Sequence, residues 1–150
     1  VTAARARTLL AFDFGLKRIG VAVGQTQTRS ANPVDTVAVR REQPDWQAIA
    51  KLVETWTPDA LVVGLPLNMD GSEQEMTLRA RRFGRQLIGR FGLPVHLVDE
   101  RLTTREAKSR LLREGRADED ADPVAAQVIL EDWFSEQSAP GEGTSGLESG

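Results

Sequence analysis

Residues 9–24, LLAFDFGLKRIGVAVG, constrain the fold more than any other stretch. They read as two short apolar strands joined by a tight polar turn, with one carboxylate, Asp13, inside the apolar run. A carboxylate is costly to bury without a partner. Asp13 therefore either ends a strand and bonds the following turn amides, or waits for a ligand. Gly15 and Gly20 flank the turn and permit close backbone approach or positive φ, which leaves a ligand room to reach the carboxylate.

The chain around this hairpin alternates strand and helix signals. Residues 33–40 (PVDTVAVR) alternate like a third strand, with residues 30–33 as the turn before it, so the first three strands should form an antiparallel meander. Pro44-Asp45 opens a helix in which Trp46, Ile49, Ala50, Val53 and Trp56 recur at helical spacing, which assigns both tryptophans to the core. Residues 60–63 form an apolar strand running into the loop GLPLNMDG (64–71). That pattern marks the carboxyl end of a buried parallel strand, where α/β proteins place ligands.

Ser72 and Glu75 have the spacing of a capping box for a long helix with an apolar stripe of Met76, Ala80, Phe83, Leu87 and Phe91, closed by Gly92 and Pro94. Residues 95–98 are the last strand and deliver Asp99-Glu100-Arg101; His96, inside that strand, reads as structural. Thr103 to Glu106 is a second capping box, opening a helix through Leu111 and Leu112 that stops at Gly115. Asp122-Pro123 reads as N-cap and first-turn proline of a final helix carrying Ala125, Ala126, Ile129, Leu130, Trp133 and Phe134. The expected organisation is a flexible N-terminus (1–7), one α/β domain (8–136) with a mixed sheet under helical cover, and a disordered Ser/Gly/Glu tail (137–150).

Composition narrows the chemistry. The 150 residues include no cysteine and one histidine, which argues against disulfides, thiolate metal sites, a His-based zinc site and a Ser-His-Asp triad. Any metal must be held mainly by oxygen. No stretch approaches the roughly 18 apolar residues of a membrane span, so the chain reads as a soluble cytoplasmic protein. The formal net charge of −3 conceals an asymmetry. Residues 1–116 carry all 19 Lys and Arg against 13 Asp and Glu, whereas residues 117–150 carry 9 acids and no Lys or Arg. Within residues 79–116 there are 11 basic and 4 acidic side chains, a local surplus that attracts phosphates even in an acidic chain.

Three acids stand at or near element ends: Asp13, Glu100 and Asp122. If those ends converge, they make a carboxylate cluster for hard divalent cations such as Mg²⁺, for which two or three carboxylates plus substrate phosphates suffice. Two such ions about 4 Å apart hydrolyse phosphodiesters without histidine or cysteine. Each acid also has a plain structural reading: Asp13 as a strand end, Glu100 as a loop acid beside Arg101, Asp122 as a helix cap.

Asp13-Phe14-Gly15, residues 20–24 (GVAVG), residues 64–71, residues 99–104 (DERLTT) and the helix start from Asp122 to Leu130 together closely resemble the bacterial YqgF family. Its members are known as pre-16S rRNA nucleases and, in older usage, as Holliday-junction-resolvase-like proteins. The resemblance covers residues 8–135. It implies a ribonuclease-H-like fold with a five-stranded mixed sheet, and a metal-dependent endonuclease maturing the 5′ end of precursor 16S rRNA. Branched DNA is the alternative substrate. Carried across residue by residue, the family's catalytic and metal-binding acids fall on Asp13, Glu100 and Asp122. The implied partners are precursor rRNA and ribosomal particles, for a monomer or homodimer.

The chain departs from the family pattern in three places. Leu16 replaces the usual threonine after Asp-x-Gly, Pro123 replaces the serine after the last acid, and residues 117–121 (ADEDA) replace a loop that often carries Lys or Arg. These changes lower phosphate affinity there and make Asp120 a substitute candidate for Asp122. Lys17, Arg18, Arg79, Arg82, Arg101 and Arg105 are the candidate nucleic-acid contacts, positioning the backbone without reading sequence. Two other readings stay open. An actin-like ATPase shares an Asp-x-Gly hairpin but needs a second such domain, and a ribosome-assembly factor would bind nucleic acid without cutting it.

Overall fold

The computed structural model describes residues 7–100, 103–115, 121–138 and 146–147. Strands β1 (Thr8–Asp13), β2 (Arg18–Gln25) and β3 (Ser30–Arg40) form the antiparallel meander expected from the hairpin. β5 (Ala60–Leu65) then pairs parallel to β1, and β6 (Val95–Asp99) parallel to β5. Two-residue strands, β4 (Gln43–Pro44) and β7 (Gly146–Leu147), extend the edges, so the sheet has seven strands in the order β4-β3-β2-β1-β5-β6-β7. The five expected strands are its body. The two additions are too short to show a two-residue period, which is why only the fold reveals them.

Both faces of the sheet are covered, which explains why β1 and β5 are apolar throughout instead of alternating. Leu10, Phe12, Ile19, Val21, Leu61, Val63 and Leu97 point to one side, against Ile49 of α1 (Trp46–Trp56) and Ala80, Phe83 and Leu87 of α2 (Glu75–Phe91). Leu9, Ala11, Val62 and Val98 point to the other, against Ile129, Leu130, Trp133 and Phe134 of α4 (Ala121–Ser138). Helix α3 (Thr103–Arg113) packs on α4 through Ala107, Leu111, Val124 and Ala125. Helix α4 is thus buried on two sides, by the sheet and by α3.

Several local expectations shift. The turn between β2 and β3 is residues 26–29, with Arg29 at positive φ, and residues 30–33 lie inside β3. Helix α1 is capped by Asp45, whose Oδ1 accepts from the Ala48 amide at 3.1 Å, as expected. On its inner side Ile49 is buried and Trp46, Leu52 and Val53 are half-buried against the core, whereas Ala50 and Trp56 are exposed. Helix α2 starts two residues later than Ser72 predicts. Gln74 and Thr77 form its capping box, while Ser72 binds Asp70 inside the preceding loop. Along α3, Leu111 is buried and Leu112 exposed. Asp122 lies within the first turn of α4, one residue past its first residue, so it is not the N-cap.

Helix α4 extends through Ser138, and Gly146–Leu147 pair with His96 and Val95 of β6. Residues 1–6, 101–102, 116–120, 139–145 and 148–150 lie outside the described residues, and with them the expectations placed on Arg101, Asp120 and the acidic loop. No described helix is long and apolar enough to cross a membrane.

Candidate active site

The carboxyl ends of β1, β5 and β6 meet at one edge of the domain, and alternation decides which side chains face α4 there. Leu9 and Ala11 point to α4, so Asp13, two further along β1, points the same way. Val98 points to α4, and Glu100 continues that parity, held by its amide donating to the Leu65 carbonyl at 3.0 Å. Between the two acids runs β5, which has Gly64 at this level. A Cβ there would lie 2.9 Å from the Glu100 carboxyl and 2.5 Å from Ile129 Cδ1. The missing side chain of Gly64 is the space that lets Glu100 reach Asp13.

Gly20 plays the matching part for the third acid. It pairs with Asp13 across the hairpin, and a Cβ on it would stand 1.9 Å from the Asp122 carbonyl oxygen. Neither Gly15 nor Gly20 has positive φ. Gly20 is needed because α4 presses its first turn onto β2, so the close approach foreseen at this hairpin comes from the chain's own backbone.

Asp13 and Glu100 share a hydrogen bond, which two ionised carboxylates cannot make. One of them keeps a proton. Burial pushes Asp13 up to about 6, opposed by that hydrogen bond and reinforced by the charge of Asp122. Burial, then the charge and hydrogen bond of Asp13, push Glu100 up to about 10. The two acids titrate together, with Glu100 the one that keeps its proton. Asp122 stands beside them but turns to Arg18, whose Nε lies 2.6 Å from its Oδ2. Among the described residues no group of three or more His, Cys, Asp and Glu is arranged to hold a metal ion. One buried and one half-buried oxygen-donor side chain that titrate together do fit a hard cation, which would replace the proton they hold; Asp122, as it stands on Arg18, does not join them.

A cleft of about 290 Å³ opens onto the pair, lined by Phe14, Gly15, Pro66, Leu67, Gln74 and Met76 as well as the two acids. The 64–71 loop supplies its wall, as its Gly/Pro/Asn composition predicts. Asn68, Asp70 and Ser72 bond one another and so stiffen that wall. Thr77, fully buried at the start of α2, donates its hydroxyl to the Pro66 carbonyl and ties the wall to the helix.

The candidate cations divide. Lys17 is exposed on the β1–β2 turn beside the cleft, and Arg18 is paired with Asp122. Arg79 is held by Glu42 at 2.6 Å and Glu75 at 3.0 Å, while Arg82 is exposed one turn along. Arg105 belongs to α3, but its side chain is outside the described residues, as is all of Arg101. Sequence reasoning missed the spacing roles of Gly20 and Gly64. Both stand in the quoted motifs, yet only strand register shows what they face.

Comparison with known proteins identifies the family and the fold. The family model described as "RuvX: Holliday junction resolvase" matches residues 7–136. A Coxiella burnetii (strain RSA 493) protein is 55% identical over 130 residues, covering 85% of this chain and 92% of its own. An Aeromonas hydrophila protein is 53% identical over 135 residues, covering 87% and 96%. Both are named "Putative pre-16S rRNA nuclease". Among solved structures, T. thermophilus RuvC in complex with a Holliday junction substrate superposes with a TM-score of 0.58 at 13% identity, covering 93% of this chain and 99% of that one. That likeness is one of fold, a ribonuclease-H-like mixed sheet under helices. With its sequence motifs, its sheet and the family model all in agreement over residues 7–136, the chain belongs to the RuvX/YqgF family.

Proposed function

We propose that this protein is a metal-dependent endonuclease that hydrolyses phosphodiester bonds of structured nucleic acid in the cytoplasm, maturing the 5′ end of precursor 16S rRNA. The observation that carries the reading is the Asp13–Glu100 couple, buried under α4 and open to a cleft at the carboxyl edge of the sheet. A purely structural pair of acids is costly in such a place, and perturbed titration in a cleft marks a working site. The names of the relatives support the nuclease class and the RNA substrate, and the family description supports branched DNA as the alternative.

Asp13 and Glu100 would hold Mg²⁺ or Mn²⁺. The bound cation would act as a Lewis acid and supply a nucleophilic water at neutral pH. The couple binds a cation only on releasing its shared proton, so affinity rises with pH across the range in which that proton leaves. Phosphates drawn to Lys17 and Arg18 fix the backbone over the cleft. A phosphate on Arg18 competes with Asp122 for the guanidinium and frees that carboxylate to turn toward Asp13, completing the three-acid site. Pro66 and Leu67 exclude water from one side of the cleft, while Phe14 forms its floor.

The test is cleavage of labelled precursor 16S rRNA and of a four-way DNA junction, side by side, with Mg²⁺ or Mn²⁺ and with EDTA. Asp13→Asn should lower the rate on the order of 10³-fold or more while leaving binding intact. Binding of both substrates with no cleavage under any metal would overturn the nuclease reading in favour of an assembly factor.

A further inference from the structure

The two-residue turn between β3 and β4 is Arg41-Glu42, and both residues have left-handed backbones, φ 53° and 63°. A two-residue hairpin with both central φ positive is the turn for which Asn-Gly is favoured, because a Cβ is strained there. Two long charged residues occupy it instead. Outliers of this kind call for an account of what the side chains do.

Both side chains line a second cleft, closed on the far side by Arg79, Arg82 and Gln86 of α2. Phe14 lines this cleft as well as the catalytic one, so the two are separated by a single half-buried ring that follows Asp13 in sequence and packs on Phe83. Three guanidiniums converge on the cleft. Glu42 binds one of them, Arg79, in an exposed ion pair, and its charge also acts on Arg82. Neither Arg41 nor Arg82 has a carboxylate bonded to it among the described residues.

We propose that the Arg41–Glu42 turn and the Arg79–Arg82 face of α2 form a subsite for the sugar-phosphate backbone of the substrate strand leading away from the scissile bond. In this subsite the Glu42 carboxylate occupies Arg79 until a phosphate displaces it. The inference rests on the nuclease reading for its strand direction, but binding alone tests it. Arg41 and Arg82 contact phosphates directly, so each contributes one counterion release to the salt dependence of binding. Glu42 is an internal competitor, so its removal strengthens binding, the opposite sign from that of its neighbours. The strained turn holds Arg41 and Glu42 over the cleft, a cost in stability retained for binding.

The experiment measures affinity for precursor 16S rRNA and for a DNA junction as a function of salt, in the Asp13→Asn background so that no cleavage intervenes. Arg82→Ala and Arg41→Asn should each reduce the slope of log K against log salt by about 1. Asparagine tolerates positive φ, so Arg41→Asn should also melt no lower than its parent, which separates lost contact from lost folding. Glu42→Gln should raise affinity about threefold at low salt, an effect that vanishes when Arg79→Ala is added. Unchanged slopes for Arg41→Asn and Arg82→Ala on both nucleic acids, or weaker binding by Glu42→Gln, overturn the proposal. A wild-type protein that binds with these slopes but never cuts would overturn the nuclease reading and leave the subsite standing.

Discussion

Of the candidate acids, Asp13 ends one strand, Glu100 directly follows another, and Asp122 stands on a helix, and the two arrangements behave differently. Glu100 is buried and Asp13 half-buried, and the two titrate together across Gly64, both pushed up by burial. Asp122 is partly exposed and bonded to an opposite charge, Arg18, whose side chain is 58% exposed. The first arrangement costs stability. The second is a surface ion pair worth little by itself and easily exchanged for a phosphate. One part of the candidate site is held inside the fold and the other at its surface.

Four substitutions break or sharpen that contrast. Gly20→Ala should have the largest effect, since its Cβ would stand 1.9 Å from the Asp122 carbonyl oxygen and only a shift of all of α4 relieves it. We expect a loss of about 3 kcal/mol or more in denaturant unfolding, with activity abolished. Gly64→Ala meets the end of Ile129 and the Glu100 carboxyl, both of which can give. It should cost about 1–3 kcal/mol and lower activity by pushing Glu100 off Asp13.

Glu100→Gln comes next and acts in the opposite direction on stability. The couple is protonated in the folded chain above the pH at which the unfolded acids have lost their protons, so the native state binds more protons. Stability from this source is complete below the unfolded values of 3.8 and 4.5 and is lost as pH rises through about 6 and toward about 10. A neutral amide removes most of that loss. The variant should therefore melt above wild type by an amount that widens from pH 5 to pH 8, while activity disappears; equal gaps at both pH values would contradict the shared proton.

Arg18→Gln should have the smallest effect on stability, below about 1 kcal/mol, because the pair is exposed. It frees Asp122 without removing it. Tighter Mn²⁺ binding in this variant, measured by calorimetry, would place Asp122 among the metal-holding acids. Unchanged Mn²⁺ binding would confine that role to Asp13 and Glu100.

Much of this was legible in the chain. The meander, the parallel strand ends, the four helices and the candidate acids follow from two- and 3.6-residue periods, caps and glycine stops, all of which act within a few residues. Where reading failed, it failed at ends. Trp56 and Ala50 fit the apolar pattern around Ile49, yet both are exposed in the fold. Asp122 before Pro123 has every local mark of a cap, but α4 begins one residue earlier and places it within the first turn, where Arg18 is in reach.

By itself, then, the sequence determined the α/β class, the family and the presence of three acids near element ends, because local spacing and motif order suffice for those. Only the tertiary structure decided that Asp13 and Glu100, 87 positions apart in the numbering, meet over Gly64 while Asp122 leans on Arg18. Strand register and the start of α4 set those directions. Both are fixed by packing between segments far apart in the chain, and no local pattern encodes such packing.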